Sequence, residues 1–384
     1  TQKTAAVGST IVNYLRGQTG YDDRAGNNNG TVNNRLFRFR ESTMGDAVES
    51  QPAYVGKPTF SYTDTGYSAF KATTRAGTVY IGANDGMLHA FDATTGDERW
   101  AYVPSMLISK MWKLADKNYS TNHDYYANGS PTISDVYDGS AWRTILVAGL
   151  NGGGRGYYAL DITNPAAPSL LWEFTPANDP NLGYTFGNPV ITKKSNGDWV
   201  VLVTSGYNNI PDANYPLANT NNGKGFLYVL NAIDGPNVSF GKIGTGVGSV
   251  AIPSGLAKIA TWADDPEKNN TATYTYGGDL LGNVWRFDIN AGTAFKFAVL
   301  KEGSTAQPIT TRPELGKVLT SDGVAHRVVY VGTGKYLETL DLTDLQQQTL
   351  YAIKDDNAIV TFDDPRNGSG ANLMVQQTLT TTGA

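Results

Sequence analysis

The sequence predicts an all-β protein, a modified β-propeller with short helical decorations. Three observations carry this prediction. Of 384 residues, 43 are Gly and 22 are Tyr while only 17% are charged, a composition that favours short strands and tight turns over long helices. A unit of four strands recurs along the chain, and repeated four-stranded sheets are typical of propellers. A hydrophobic content of 40% is enough to give a chain of this length a core.

The clearest copy of the repeated unit runs from Thr78 to Pro104. Val79-Tyr80-Ile81 is β-branched and aromatic, which favours a strand. Asn84-Asp85-Gly86 predicts a hairpin turn, because Asn, Asp and Gly tolerate the positive φ of a primed turn. Leu88–Asp92 is the predicted return strand and Arg99–Tyr102 the outer strand.

Four further copies follow with variable spacing, at Thr144–Phe174, Val200–Phe240, Tyr274–Leu300 and, more weakly, Val328–Lys354. Leading strands are predicted before the five copies at Gln51–Val55, Ser130–Ile133, Asn188–Ile191, Ser254–Ile259 and Arg312–Val318. The sequence therefore predicts five visible four-stranded blades. We expect six or seven in total, because closure protects the strand edges of a propeller. Segments available for the additional strands are Leu36–Phe39 and Val360–Phe362 or Leu373–Leu379.

The remaining segments fit one propeller domain over residues 1–384, with a partly irregular lead-in over residues 1–40. Two helices are predicted as decorations, at Thr4–Leu15 and Ser105–Lys117. Polar, non-periodic stretches predict loops, and these lie at Gly20–Asn34, Pro211–Asn222 and Asp363–Ala371.

Composition excludes several classes of function. The 30 Lys and Arg against 35 Asp and Glu give a net charge of −5, which argues against nucleic-acid binding by phosphate neutralisation. No apolar run approaches the ~18 residues of a membrane span. The lack of Cys excludes disulfides, Cys-ligated zinc, Fe–S clusters and thiol catalysis. Because the chain starts at Thr1 without an initiator Met or a signal peptide, we expect a fragment or a mature product.

One motif raises the alternative of an enzyme. The stretch from Ala90 to Trp100 fits A-x-D-x-x-T-G-x-x-x-W, the repeat of quinoprotein propellers. A pyrroloquinoline quinone dehydrogenase is therefore the alternative hypothesis. The same residues also suit blade packing, since the Ala fits where blades crowd and the Trp packs flat between them. A single copy of a packing motif does not build a quinone pocket, and we expect no organic cofactor.

Other catalytic patterns are incomplete. The three His residues, His89, His123 and His326, are far apart and form no H-E-x-x-H motif. No G-x-S-x-G elbow is present. The runs Gly152–Gly156 and Gly332–Lys335 follow predicted strands but lack the helix N-terminus or the flanking residues of a phosphate loop. We therefore expect a protein that is not an enzyme.

One carboxylate-bearing loop is a candidate calcium site. Oxygen-bearing side chains fall at alternate positions, and these are Asp265, Glu267, Asn269, Thr271 and Thr273. Alternate positions converging on one centre are how a short loop wraps a hard cation. An ordinary polar loop is the alternative, because only two of the five side chains are carboxylates and Pro266 stiffens the entry.

Several long strings, in the same order, resemble the C-terminal domain of the PilY1/PilC type IV pilus tip proteins. They span roughly Val12 to Tyr351 and read MGDAVESQPAYVG, VYIGANDGMLHAFDATTG, GGGRGYYALDITNP and GGDLLGNVWRFD, with NYLRG and SPTISDV also matching. The resemblance implies a modified propeller at the C-terminal end of a larger secreted protein, located extracellularly on the bacterial surface at the pilus tip.

The resemblance also implies a function. Members act in pilus assembly, twitching motility, adhesion and virulence, contacting minor pilins and host-cell surfaces. Some bind calcium in a loop just before the GDLxGNxWRFD strand and so regulate extension against retraction; Asp265–Thr273 occupies that place, with Thr273 where the family has an acid. Some carry an Arg-Gly-Asp integrin motif, but here Arg16-Gly17 is followed by Gln18.

Two segments are the predicted contact surfaces of such a binding module, because loops on a rigid scaffold commonly bind partners. They are Ser105–Asn128 and Pro211–Asn222. Aromatic residues suit interface anchors, and the candidates in these segments are Trp112, Tyr119, Tyr125, Tyr126 and Tyr215.

Overall fold

The computed structural model describes residues 9–24, 26, 35–215, 221–319 and 323–366, and its strands form five successive antiparallel units. The first four units have four strands each and the fifth has three. Blade 1 contains β1 (Ala53–Val55), β2 (Thr78–Gly82), β3 (Leu88–Asp92) and β4 (Glu98–Tyr102). Blade 2 contains β5 (Thr132–Tyr137), β6 (Trp142–Gly149), β7 (Tyr157–Asp161) and β8 (Ser169–Phe174).

Blade 3 contains β9 (Val190–Lys193), β10 (Trp199–Thr204), β11 (Phe226–Asn231) and β12 (Gly241–Gly244). Blade 4 contains β13 (Ile259–Asp265), β14 (Asn269–Gly278), β15 (Asn283–Asp288) and β16 (Thr293–Val299). A small ribbon of β17 (Lys301–Glu302) and β18 (Thr305–Ala306) precedes blade 5, which contains β19 (Glu314–Leu319), β20 (Ala325–Gly332) and β21 (Leu350–Asp355). Finally, β22 (Phe362–Asp363) pairs in parallel with β16.

Helical pieces are short. The α-helices are α1 (Ser9–Leu15), α2 (Tyr67–Lys71) and α3 (Ser105–Ile108), and the 3-10 turns are Met111–Ala115, Tyr119–Thr121 and Thr339–Thr343. The all-β propeller predicted from composition and repeats is confirmed.

The residue types of each strand match how deeply that strand is buried. Every side chain of β10 is buried, and its residues WVVLVT are the continuous β-branched and apolar run expected of a strand covered on both faces. Strands at the outside of a blade are more exposed, as in β4 and β8. The core therefore lies between the inner strands of neighbouring blades, where apolar residues of adjacent units form shared clusters.

Tryptophans on outer strands join one blade to the next. Trp172 of β8 is 2% exposed, and its Nε1 donates to the Ala232 carbonyl in blade 3 at 3.1 Å. In the same way, Trp100 of β4 donates to the Pro165 carbonyl in blade 2 at 2.8 Å. A Cβ on Gly235 would lie 2.2 Å from the Trp172 ring, so only glycine allows this close approach.

Each of these tryptophans also faces an alanine within its own blade. Ala90 pairs with Trp100 and Ala159 with Trp172 across the sheet. Because the small residue leaves room for the indole, the quinoprotein-like motif of blade 1 is used for packing here.

Blades 3 and 4 are also joined by direct strand pairing. β14 pairs in parallel with β9 at Thr271 and Lys193, and the Asn270 Nδ2 donates to the Ile191 carbonyl at 3.0 Å. The two blades therefore share one continuous nine-stranded sheet.

Several predicted elements differ from the structure. The leading strand expected at Ser254–Ile259 begins only at Ile259, because the preceding backbone bonds to neighbouring blades, for example Gly206 N–H to the Leu256 carbonyl at 2.8 Å. The helix expected at Ser105–Lys117 is two short turns, since bonds between residues three apart tighten the chain. Helix α2 was not predicted.

The closing strands also differ. Leu36–Phe39 joins no blade; Phe37 forms one bridge to Asp22 and its ring packs on Tyr14 instead. Blade 5 has three strands rather than four, and the described residues contain no sixth or seventh four-stranded unit. β22 confirms a strand near Val360–Phe362. Leu373–Leu379, and parts of Thr4–Leu15, Gly20–Asn34, Pro211–Asn222 and Asp363–Ala371, lie outside the described residues.

The tryptophan contact predicts a large difference between two equally sized substitutions. Trp172→Ala should lower the free energy of unfolding by about 3–5 kcal/mol, the usual cost of removing a buried aromatic side chain. Trp112→Ala is the control, because that indole is 56% exposed, and should change the free energy by no more than about 0.5 kcal/mol. Urea unfolding followed by circular dichroism measures both, and equal effects would refute the role assigned to Trp172.

Candidate functional site

The first predicted contact segment, Ser105–Asn128, presents three large side chains to solvent. Ile108 is 60% exposed, Trp112 56% and Tyr125 40%. The two other aromatic candidates of this segment, Tyr119 and Tyr126, are buried and support the fold. Two of the four aromatic candidates in this segment, Trp112 and Tyr125, are therefore exposed, and contact of the segment with a partner stays a prediction.

Packing against blade 2 makes this segment rigid. The carbonyl of Tyr126 lies where a Cβ on Gly153 would be, at 1.7 Å, so the backbone of the segment rests directly on the glycine-rich hairpin between β6 and β7. The Lys110 ammonium lies 4.5 Å from the centre of the Tyr126 ring, and the Lys113 Nζ donates to Asp124 at 3.0 Å. The exposed side chains therefore stand on a fixed base.

Arg155, within the same hairpin, holds the start of the second predicted segment. Its guanidinium is almost fully buried and donates to the carbonyls of Asn208 at 2.8 Å and Ile210 at 3.0 Å. The ring of Tyr215 lies 4.7 Å from the guanidinium carbon, so this aromatic candidate stacks on Arg155 rather than standing free. Burial lowers the pKa of Arg155 despite the nearby carboxylate of Asp212.

The candidate calcium loop folds as a β-hairpin. Asp265 ends β13, Asn269 begins β14, and the two residues are paired. The carbonyls of Glu267 and Lys268 accept N–H bonds from Ser61 and Thr63 at 2.8 and 3.1 Å. The tip of the hairpin therefore joins blade 4 to the segment that precedes α2.

In this hairpin the five predicted ligands do not form one coordination shell. Thr273 falls at a β-bulge, and along a strand it is roughly 13 Å from Asn269, whereas oxygens sharing one Ca²⁺ lie about 2.4 Å from it. The Asp265 carboxylate already contacts the Lys268 ammonium at 3.2 Å, and the Thr271 hydroxyl donates to the Asn269 Oδ1 at 2.7 Å. The donor set as folded does not fit the ion, and the calcium binding expected from the sequence remains to be tested by titration.

A different carboxylate organises the turn that follows. Asp279 is fully buried and accepts bonds from the N–H groups of Leu281 and Asn283, at 3.0 and 2.9 Å, and from the Trp285 indole at 2.9 Å. Burial raises its pKa, against the effect of these bonds. The GDLLGNVW string is therefore a structural turn built around one buried acid.

Asp85 likewise is a buried carboxylate that accepts backbone hydrogen bonds at a turn, here in blade 1. It accepts from the N–H groups of Gly45 and Met87, at 2.8 and 3.2 Å, and faces the Nε2 of His89 at 3.0 Å. The Nδ1 of His89 lies 2.6 Å from Glu98. Burial by itself lowers the pKa of His89, but the two carboxylates outweigh it, and the pKa is raised above 6.5.

The matching strings that suggested a pilus protein thus occupy the turns and interblade contacts of the propeller. A family model described as the PilY1 beta-propeller domain matches residues 44–383. The chain belongs to this family. Its PilY1-type propeller contains the first four blades, the fifth unit and both predicted contact segments within the matched range.

Individual relatives agree with the family match. The chain is similar to the type IV pilus biogenesis factor PilY1 of Pseudomonas aeruginosa strain PAO1, with 35% identity over 363 residues, covering 84% of this chain and 29% of the relative. It is also similar to a PilY1 homolog of Xylella fastidiosa, with 36% identity over 371 residues, covering 93% of this chain and 28% of the relative. The chain therefore spans less than a third of the length of these PilY1 proteins.

A solved structure supports the fold at the level of coordinates. The crystal structure of the Pseudomonas aeruginosa PilY1 C-terminal domain is 32% identical with a TM-score of 0.62, covering 79% of this chain and 64% of that one. No helix in the described part of this PilY1-family chain is long and apolar enough to cross a bilayer.

Sequence reasoning missed Arg155, which positions the second contact segment, and Asp279, which organises a turn of blade 4. Arg155 could have been found as the one charged residue in a glycine-rich hairpin, and Asp279 as the acid of a predicted turn. The exposure of Ile108 had no such signal, because the sequence predicts only a helix over Ser105–Lys117 and does not show which of its side chains face the solvent.

His89 predicts a pH dependence of stability. Because its folded pKa is raised, its contribution is fully present below 6.5 and is lost as the pH rises through the folded value. The melting temperature should therefore fall more between pH 6 and pH 9 in the parent chain than in His89→Gln. His123→Gln is the control, since the His123 side chain is 40% exposed, and should keep the parent profile. An unchanged profile in His89→Gln would contradict the prediction.

The hairpin geometry predicts weak or no calcium binding at Asp265. Calorimetric titration with calcium chloride should give the same heat in the parent chain as in Asp265→Asn and Glu267→Gln. The reason is that the hairpin offers only two carboxylates, and one of them contacts Lys268. A stoichiometric heat lost in both variants would show that the hairpin rearranges around the ion and would restore the calcium site.

Proposed function

We propose that this propeller serves type IV pilus biogenesis as a non-enzymatic binding module at the pilus tip, on the bacterial cell surface. Membership in the PilY1 propeller family and similarity to type IV pilus biogenesis factors support the proposal. Within it, the domain binds minor pilins and promotes pilus assembly and twitching motility, and its outward loops contact host-cell surfaces.

The observation that carries the proposal is the exposed apolar surface of Ile108, Trp112 and Tyr125, called here the insertion surface. Large apolar side chains that stay exposed on a rigid base favour association, because burying them on a partner has little conformational cost. Tryptophan and tyrosine are also the residue types that most often dominate binding energy at protein interfaces.

The border of the insertion surface has the polar character of an interface rim. Lys110 and Lys113 both contact Asp124, at 3.5 and 3.0 Å, and Lys117 contacts Asp23 at 3.0 Å. Since these charges are paired within the chain, they set orientation and solubility while the apolar centre supplies the affinity.

The use of polar groups supports a non-enzymatic role. His89, Asp85 and Asp279, which have the chemistry of acids and bases, are buried and bonded to backbone groups or to each other. The Trp of the quinoprotein-like motif donates to a neighbouring blade. One experiment separates this proposal from a quinone dehydrogenase. Addition of pyrroloquinoline quinone with calcium would give a stoichiometric bound chromophore in a dehydrogenase, whereas we expect no such absorption spectrum from this chain.

The insertion surface predicts the effect of two substitutions on partner binding. A double variant, Ile108→Ser with Trp112→Ser, should weaken binding to purified minor pilins by at least about tenfold, the loss expected when interface anchors are removed. Its melting temperature should change little, because both side chains are exposed. Biolayer interferometry measures the affinity.

Tyr54→Ser is the matched control, since Tyr54 is 68% exposed on blade 1 and lies outside the insertion surface. Parent and control should bind alike. If the double variant binds as well as the parent, the surface is misplaced; if the parent binds no minor pilin at all, the proposed partner is wrong. Deletion of the region in the native host, with pilin levels measured, separates assembly from adhesion.

A further inference from the structure

A cavity of about 520 Å³ lies between the lead-in and blade 1. Its walls come from four parts of the chain: Leu15 of α1, the stretch Arg38–Asp46, the Asn84-Asp85 turn, and the segment after α3 at Leu114, Tyr119, Ser120 and His123. This volume is within the ~300–1,000 Å³ typical of small-molecule and peptide-group sites. Neither the propeller core nor the insertion surface uses it.

Arg40, in the cavity wall, is a buried cation that forms no direct ion pair with the residues the structure describes. Its side chain is 9% exposed, its Nη2 donates to the Tyr14 carbonyl at 2.5 Å, and the guanidinium carbon lies 3.7 Å from the centre of the Tyr14 ring. Its Nε has no hydrogen-bond partner. Burial lowers the pKa of Arg40, although the carboxylates of Asp22 and Asp85 lie near enough to oppose that effect.

Arg38, in the same wall, is half-buried and likewise forms no ion pair within the described part of the chain. Its Nε donates to the Leu114 carbonyl at 3.2 Å, and its guanidinium lies 4.6 Å from the centre of the Tyr119 ring. Two guanidinium groups two residues apart thus border one cavity, each positioned by a carbonyl and an aromatic ring. Burying a charge without a partner is costly, so the arrangement favours an anion from outside the described chain.

The acids around the cavity limit which anion fits. Asp85 and Asp46 line it, but their oxygens accept bonds from Gly45 N–H and from the Asn84 amide, at 2.8 and 3.0 Å. Glu41 is exposed at the mouth. Three acidic side chains near two arginines disfavour a dianion such as phosphate, whereas a single carboxylate can pair with the arginines.

Apolar side chains also line the cavity, beside the polar Ser42, Thr43, Ser120 and His123. Leu15, Phe39, Met44 and Leu114 line the cavity, and Phe39 is 46% exposed. These side chains suit an apolar body attached to the anionic group. We propose that the cavity is a binding site for a peptide carboxylate, held by Arg38 and Arg40 with its apolar neighbours against Leu15, Phe39 and Leu114.

The test uses the 384-residue chain and three short peptides at millimolar concentration, with binding followed by protein-observed NMR. Acetyl-Phe-Leu with a free C-terminus carries a terminal carboxylate, its C-terminal amide carries none, and acetyl-Leu-Glu amide carries only a side-chain carboxylate. At least one of the two carboxylate peptides should give saturable shifts at Arg38–Asp46, and the amide should not. Comparison of the two identifies the source of the carboxylate.

Variants then assign the site. Arg38→Gln should lower the affinity for the bound peptide by at least about tenfold, the effect expected from the loss of one charge-assisted hydrogen bond. Glu41→Gln should raise the affinity, because it removes a negative charge next to the carboxylate. Arg16→Gln is the matched control, an exposed arginine of the lead-in outside the cavity wall, and should leave the affinity unchanged. If Arg38→Gln disturbs the fold, the affinity of Arg40→Lys for the same peptide is the second measurement, and it should also be lower than that of the parent chain.

Three outcomes would overturn the proposal. The first is the absence of saturable shifts with either carboxylate peptide. The second is equal affinity for the amide, which would indicate an apolar site alone. The third is tighter binding of inorganic phosphate than of the carboxylate peptides, which would assign the arginines to a different anion.

Discussion

Contact between neighbouring blades is the constraint on which the rest of this structure depends. Each blade is a small twisted sheet that exposes both faces until the next blade covers it. Trp172 and Trp100 fix that coverage by combining a large apolar surface with one directed hydrogen bond to the next unit. Ala159 and Gly235 are small because the indole occupies the space around them. Stability and register are thus set at the same few positions.

The fold was largely predictable, because strand periodicity and turn chemistry act locally. The strands of Thr78–Pro104 form as expected, with Asn84-Asp85-Gly86 at the turn between β2 and β3, although of these three residues Gly86 alone has a positive φ. Predictions failed where distant segments decide the conformation. The backbone before Ile259 bonds to other blades instead of forming a strand, and Phe37 packs on Tyr14. No local pattern contains that information.

The candidate sites were less predictable for the same reason. Alternating oxygens at Asp265–Thr273 suggested a loop around an ion, but pairing with β13 straightens them into a hairpin. The sequence marked Ser105–Asn128 as a contact segment, whereas the exposure of Ile108 and the burial of Tyr126 depend on how that segment rests on blade 2. Arg40 gave no signal at all, because an unpaired charge is recognisable only once its neighbours are known.

The attachment of α1 has a mechanical consequence. The Tyr14 hydroxyl donates to the carbonyls of Arg38 and Leu114, at 2.9 and 3.3 Å, and the Arg38 N–H donates to the Ala115 carbonyl at 3.0 Å. Tension applied along the chain through α1 would therefore pass to the segment bearing Trp112 and, through the contact of that segment's backbone with Gly153, to blade 2.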